Sequence, residues 1–239
     1  MTRNAPPLLL TRPEPGATRF ADAFARRFGP DWPVIRAPAL AVEPVSFARQ
    51  ALEDASAVIL TSPQAAARAG PGRGRLAYAV GDQTALAATQ AGFRAISAKG
   101  DAAALARLIR ERHGRGDTGA GPLFYPHGRQ RAADLAALLP ELRIVAAVVY
   151  EQRPLPPPAE VTSLHGPLLV PVFSPFSARI VAGWLAAGTT RPWVAAISAS
   201  AAAGFGQAAR LAVAVRPDAG AVLDALELLL DGGAGTEQS

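Results

Sequence analysis

The chain reads in the same order twice, and that doubling constrains its fold more than any other feature. Leu8-Leu9-Leu10 leads through a turn into an Ala- and Phe-rich amphipathic stretch, Thr18–Phe28, and Leu123-Phe124-Tyr125 leads into Arg131–Leu139. Val58-Ile59-Leu60 runs into Thr61-Ser62-Pro63, and Val170-Pro171-Val172 into Phe173-Ser174-Pro175. Ala77–Gly81 is echoed by Val194–Ser198, and Gly100-Asp101-Ala102 by Pro217-Asp218-Ala219. The offset is 115 residues from Leu8 to Leu123, 112 from Val58 to Val170 and 117 from Ala77 to Val194, so element order is kept while loop lengths drift. A repeat of that length is the size of a small domain. It implies two similar α/β lobes with a cleft between them where a substrate would sit.

Within each copy, short apolar runs bounded by Gly, Pro or Ser alternate with helix-length Ala/Leu patterns, as parallel α/β units do. Strands are predicted near 8–10, 34–38, 57–61, 76–80, 94–97, 122–126, 143–150, 168–173, 193–197 and 211–215. Helices are predicted over 16–28, 47–54, 63–69, 83–91, 101–113, 130–139, 175–187, 199–209 and 218–230. Asp101 and Asp218 are suited to cap the helices they open. Gly114–Pro122 reads as a loop, and the prolines of Arg153–Glu160 can continue neither a helix nor a central strand. Gly232–Ser239 reads as a polar tail.

Composition narrows the classes. Half of the 239 residues are hydrophobic and 18% are charged, enough apolar surface for packed cores. No apolar run approaches the roughly 18 residues of a membrane span, and Met1–Pro7 is followed by no signal-peptide core, so a cytoplasmic chain is expected. Without cysteine there is no disulfide, zinc–thiolate site or thiol nucleophile. The net charge of +5 is carried by dispersed arginines, Lys99 being the one lysine, which gives no nucleic-acid footprint and also fits a GC-rich coding bias.

Parallel sheets bind ligands beyond their carboxyl strand ends, where helix N-termini present free N–H groups. Small polar residues stand there in both copies: Thr11-Arg12-Pro13, Thr61-Ser62, Gly81-Asp82-Gln83-Thr84, His127-Gly128-Arg129, Ser174 and Ser198-Ala199-Ser200. Each set reads equally as ordinary N-capping, but six in matched places point to an anion-binding surface. Phosphate loops, nucleophile elbows and paired metal-binding histidines are absent from the sequence. His113 reads as a helix-end charge, His165 as a turn residue, and His127 as either structural or cleft-facing. Tyr150 ends the run Ile144–Val149 and offers a phenolic proton, or simply fills a half-buried strand position.

Taken together, Leu8–Pro13, Ile59–Pro63, Ala79–Ala85 with Ala91-Gly92-Phe93, Val148–Glu151, Val172–Pro175 and Ala195–Ser198 resemble the uroporphyrinogen-III synthase family over nearly the whole chain. The resemblance implies two similar, flavodoxin-like α/β lobes with parallel sheets. These are interleaved as residues 1–38 plus 152–239 and residues 39–151, and joined by two antiparallel crossing strands near 37–44 and 147–154. From the repeat alone, two consecutive domains fit as well.

The resemblance also implies a cofactor-free, metal-free monomer acting on a linear hydroxymethyl tetrapyrrole, with transient contact to hydroxymethylbilane synthase. Loss of water gives an azafulvene cation. The terminal ring attacks through its substituted carbon, forms a spiro intermediate and is inverted in the closed macrocycle. Unassisted closure gives the uninverted isomer, so catalysis means steering which carbon attacks. Tyr150 matches the family's proton-donating linker tyrosine. Thr61, Ser62, Gly81, Thr84, His127, Gly128, Ser174, Ser198 and Ser200 would line the substrate site, and Arg12 would pair with a carboxylate or form a surface salt bridge. The second Gly-x-x-Thr-Ala turn departs from pattern, with Ser198 for Gly and Ala201 for Thr. A two-lobed binding module for a small polyanion and an inactive homologue with a scaffold role are the rival readings.

Overall fold

The computed structural model describes residues 5–130 and 134–232, so part of the predicted helix 130–139 and nearly all of the predicted tail lie outside the described residues. In chain order the first elements are β1 (Leu8–Leu10), α1 (Gly16–Phe28), β2 (Val34–Arg36), β3 (Leu40–Pro44), α2 (Gln50–Glu53), β4 (Ala57–Leu60) and α3 (Pro63–Arg68). Then come β5 (Leu76–Ala79), α4 (Asp82–Gln90), β6 (Arg94–Ser97), α5 (Ala102–Gly114), β7 (Leu123–Gly128), α6 (Leu135–Leu138) and β8 (Ile144–Pro154). The last are α7 (Ala159–Thr162), β9 (His165–Val172), α8 (Pro175–Leu185), β10 (Thr189–Ala196), α9 (Ala199–Phe205), β11 (Arg210–Val213) and α10 (Ala219–Asp231).

The chain divides into two compact units, Met1–Ala41 with Pro154–Ser239, and Val42–Arg153. The first holds a five-stranded sheet in the order β11-β10-β9-β1-β2, and β1–β2, β1–β9, β9–β10 and β10–β11 all pair in parallel. Counted along the unit's own strands this is 2-1-3-4-5, the flavodoxin-like doubly wound order. The second holds β3-β8-β7-β4-β5-β6, whose last five strands repeat that order with β7 and β8 in the places of β1 and β2. β3 and β8 run antiparallel, since Val45 N–H donates to Val149 O and Leu155 N–H to Ala39 O.

The strand sequences explain why both faces of each sheet are covered. Period-two alternation sends Leu8 and Leu10 into the core under α1 and α10, and Leu9 into the opposite core with Val170, Val181 and Trp184. In β4, Ala57 and Ile59 pack with Tyr78, Leu105 and Ile109, while Val58 and Leu60 pack with Phe93, Phe124 and Val149. Each fully buried leucine or isoleucine contributes about 1.5–3 kcal/mol. Among the described residues no helix is long and apolar enough to cross a membrane.

Several elements depart from the sequence expectation. α7 has no counterpart among the predicted helices, α2 is shorter than 47–54, and α9 stops at Phe205 because Gly206 takes φ +81°, a helix-ending conformation. β9 and β10 start earlier than predicted because they pair over eight residues from His165↔Thr189. His165 is therefore a strand residue, not a turn residue, with Nδ1 2.6 Å from Thr189 Oγ1.

Candidate active site

The switch point of the second sheet lies between β4 and β7, where the strand order reverses. A cavity of about 350 Å³ opens there, at the carboxyl ends of the strands where doubly wound sheets bind ligands. Thr61, Ser62, His127, Gly128 and Tyr150 line it together. A larger hollow of about 640 Å³ in the same unit, bordered by Pro44, Phe47, Arg49, Arg68 and Val149, contains none of the predicted site residues. Chemistry rather than volume therefore selects the smaller one.

Ser62 sits between β4 and α3 with extended backbone, and its Oγ accepts the N–H of Ala65 at 3.0 Å, a side-chain cap with Pro63 at the first helical position. The same Oγ lies 3.0 Å from the Tyr150 hydroxyl. Tyr150 is 8% exposed. What aims it is an irregularity between β7 and β8: His127 opposes Val148 but Gly128 opposes Tyr150, so one residue of β8 is bulged out. Arg129 N–H then donates to Tyr150 O at 3.0 Å, and the phenol ring lies on Gly128, where a Cβ would fall 2.6–2.8 Å from Cζ, Cε2 and Oη. Glycine at 128 is therefore a condition of the tyrosine's position.

His127 and Tyr125 share one face of β7, with ring centroids 5.1 Å apart, and Tyr125 OH makes a long 3.4 Å contact to Thr61 Oγ1. Sequence reasoning missed Tyr125 as a cavity residue, although its two-residue spacing from His127 was a usable signal. Asp101 also borders the cavity while accepting the Ala104 N–H at 2.9 Å. Those backbone N–H bonds, Ala104's first, hold its carboxyl below the usual range.

Gly81 precedes α4 in extended backbone, and Thr84 is buried in the first turn of that helix; neither lines the cavity. The remaining predicted residues belong to the other unit. Arg12 stacks on Phe173, its Cζ 4.1 Å from the ring centroid, and a Cβ on Gly16 would meet its Nε at 2.6 Å. Burial lowers the Arg12 pKa, the charge of Arg19 adding to the effect and Glu14 opposing it. Ser174 caps α8 and Ser198 caps α9 through Ser177 and Ala201 N–H, and their hydroxyls pair with those of Ser177 at 2.8 Å and Ser200 at 3.0 Å.

The model of the family "Uroporphyrinogen-III synthase HemD" matches residues 21–224, which leaves Arg12 outside the matched span. The crystal structure of uroporphyrinogen-III synthetase from Helicobacter pylori is similar with a TM-score of 0.62 at 15% identity, covering 94% of this chain and 99% of that one. A mutant uroporphyrinogen III synthase from the extremely thermophilic bacterium Thermus thermophilus gives 0.51 at 15% identity, covering 95% and 100%. At that identity these two structures speak for the fold. No curated protein matches the sequence. The family match runs through both units and takes in every residue found around the cavity, and the chain belongs to the uroporphyrinogen-III synthase HemD family.

Proposed function

We propose that this chain closes hydroxymethylbilane into uroporphyrinogen III, with inversion of the terminal ring and loss of water, and that Tyr150 is the proton donor. The single observation that carries the assignment is the Tyr150 hydroxyl, buried beside Ser62 Oγ and bordering the switch-point cavity. A hydroxide is a poor leaving group. Its C–O bond breaks readily when a positioned acid supplies the proton and the pyrrole nitrogen supplies the electron pair. The oxygen then departs as water. The terminal ring attacks through its substituted carbon, the spiro intermediate reopens, and the inverted ring closes through its free carbon; the proton lost from that carbon as the ring regains aromaticity restores the acid.

Substrate carboxylates need donors, and the hydroxyls of Thr61 and Ser62 stand at the border of the same cavity; the other unit offers Arg12, Ser174, Ser198 and Ser200 at its own strand ends. The two compact units are taken as the family's two lobes. Because the substrate closes unaided to the wrong isomer, hand-over from hydroxymethylbilane synthase to a cytoplasmic monomer is part of the same proposal.

The test is to mix purified protein with freshly generated hydroxymethylbilane and separate the oxidised porphyrin isomers. Predominantly type III product is expected; a type I product equal to the protein-free control sinks the assignment. With activity established, Tyr150→Phe should lower kcat by about 100-fold with the fold intact, and unchanged turnover would remove the donor role.

A further inference from the structure

His127 is the penultimate residue of β7 and is 8% exposed. Its Nδ1 lies 2.8 Å from the carbonyl oxygen of Gly128. A carbonyl only accepts, so Nδ1 carries the proton, and in the neutral ring Nε2 is then a bare lone pair that can accept and cannot donate. The Tyr125 ring braces the imidazole at 5.1 Å between centroids. Among the described residues the buried polar atoms without a partner are Tyr78 OH, Arg112 Nε and Thr190 Oγ1. Nε2 of His127 is bonded to no described residue either, yet it is not among these buried atoms, so it keeps access to open space. The open space that His127 borders is the cavity of Ser62 and Tyr150.

We propose that His127 Nε2 accepts a hydrogen bond from a pyrrole N–H of the linear tetrapyrrole, and that this bond tightens as the hydroxyl leaves. The inference rests on reading that cavity as the tetrapyrrole site. The substrate offers two kinds of polar group besides its hydroxyl. Its carboxylates only accept, and a ring whose single proton is tied to Gly128 has nothing to give them. Its pyrrole nitrogens only donate, and they match a bare Nε2.

The bond also has a catalytic consequence. When the C–O bond breaks, its electron pair leaves with the oxygen, which takes the Tyr150 proton and departs as water. The pyrrole nitrogen supplies the replacing electron pair and becomes positive, so its N–H becomes a stronger donor. An acceptor fixed beforehand at that N–H gains most at the transition state and acts on kcat more than on KM.

Two amide variants separate this role from packing. His127→Asn places an amide N–H where Nδ1 stood, keeping the bond to Gly128 O but leaving nothing at the position of Nε2. His127→Gln places a carbonyl oxygen near Nε2. Isomer-resolved kinetics should show Asn lowering kcat about 10- to 100-fold, as the loss of a hydrogen bond to a charged group does, with KM within about twofold. Gln should recover most of the rate. Equal losses in both variants, a raised KM with kcat intact, or no loss in Asn would overturn the inference while wild-type type III product leaves the cavity reading standing. Only type I product from wild type would overturn both. Ring-nitrogen NMR on histidine-labelled wild-type chain needs no variant: a protonated Nδ1 with bare Nε2 is expected for His127, and the opposite tautomer overturns the inference.

Discussion

The Ser62 hydroxyl has one proton and two lone pairs, and the Ala65 N–H takes one lone pair. The other lone pair and the proton remain for Tyr150, 3.0 Å away. If Ser62 donates, the phenol keeps its own proton for the cavity. Ser62→Ala should therefore lower kcat in wild type yet cost little more in a Tyr150→Phe background, while Ser62→Thr restores the rate; additive losses across the two sites would sink the coupling. Gly128→Ala forces the Tyr150 ring to move and should lower kcat with KM nearly unchanged; unaltered kinetics would mean the ring's seat is immaterial. Tyr78 poses the opposite case. Its ring is wholly buried, its hydroxyl has no partner among the described residues, and burial pushes the phenol pKa up. Tyr78→Phe should raise stability by about 1 kcal/mol, read from chemical unfolding. Ser62, Gly128 and Tyr150 are each legible in the sequence as polar or special residues at strand ends. Their contact is not, because it depends on a bulge between β7 and β8 that no local pattern announces.

At the scale of elements, helix starts are the most readable feature. Asp101 and Asp218 stand at corresponding places in the two repeats and cap α5 and α10, each accepting a backbone N–H three residues on. Those bonds, the Ala104 and Ala221 N–H groups first, hold both carboxyls below their ordinary range. Folding thus favours the ionised form. The stabilisation is fully present above the ordinary carboxylate range and is lost as pH falls through the depressed folded values. Asp218→Ala should lower Tm by about 2–4 °C at neutral pH, and its deficit relative to wild type should shrink as the solution is acidified. A deficit independent of pH would assign the effect to lost helix propensity. Helix ends are less readable: the Ala-rich run after Ser198 looks helical through Ala209, and the positive φ at Gly206 stops it sooner. β3 is an edge strand without a strong alternating pattern, and only the family resemblance points to it.

For the whole molecule, the repeat offset foretells two sheets with one strand order, while the pairing of β1 with β9 decides how the copies are shared out. Periodicity carries no information on that point, since consecutive and interleaved units have the same local sequences. The core clusters are each confined to one unit. Residues 40–154 expressed alone should therefore unfold cooperatively with protected amides in β4, β5 and β7; a segment without exchange protection would contradict this. The sharing also orders events on the ribosome. Leu8 pairs with Leu169, which emerges 161 residues later. At ~5–20 residues per second the β9-facing edge of β1 waits roughly 10–30 s for its neighbour. Throughout that interval the nascent chain carries three consecutive leucines without their final cover, while the middle of the chain, whose strands pair among themselves, is free to fold first.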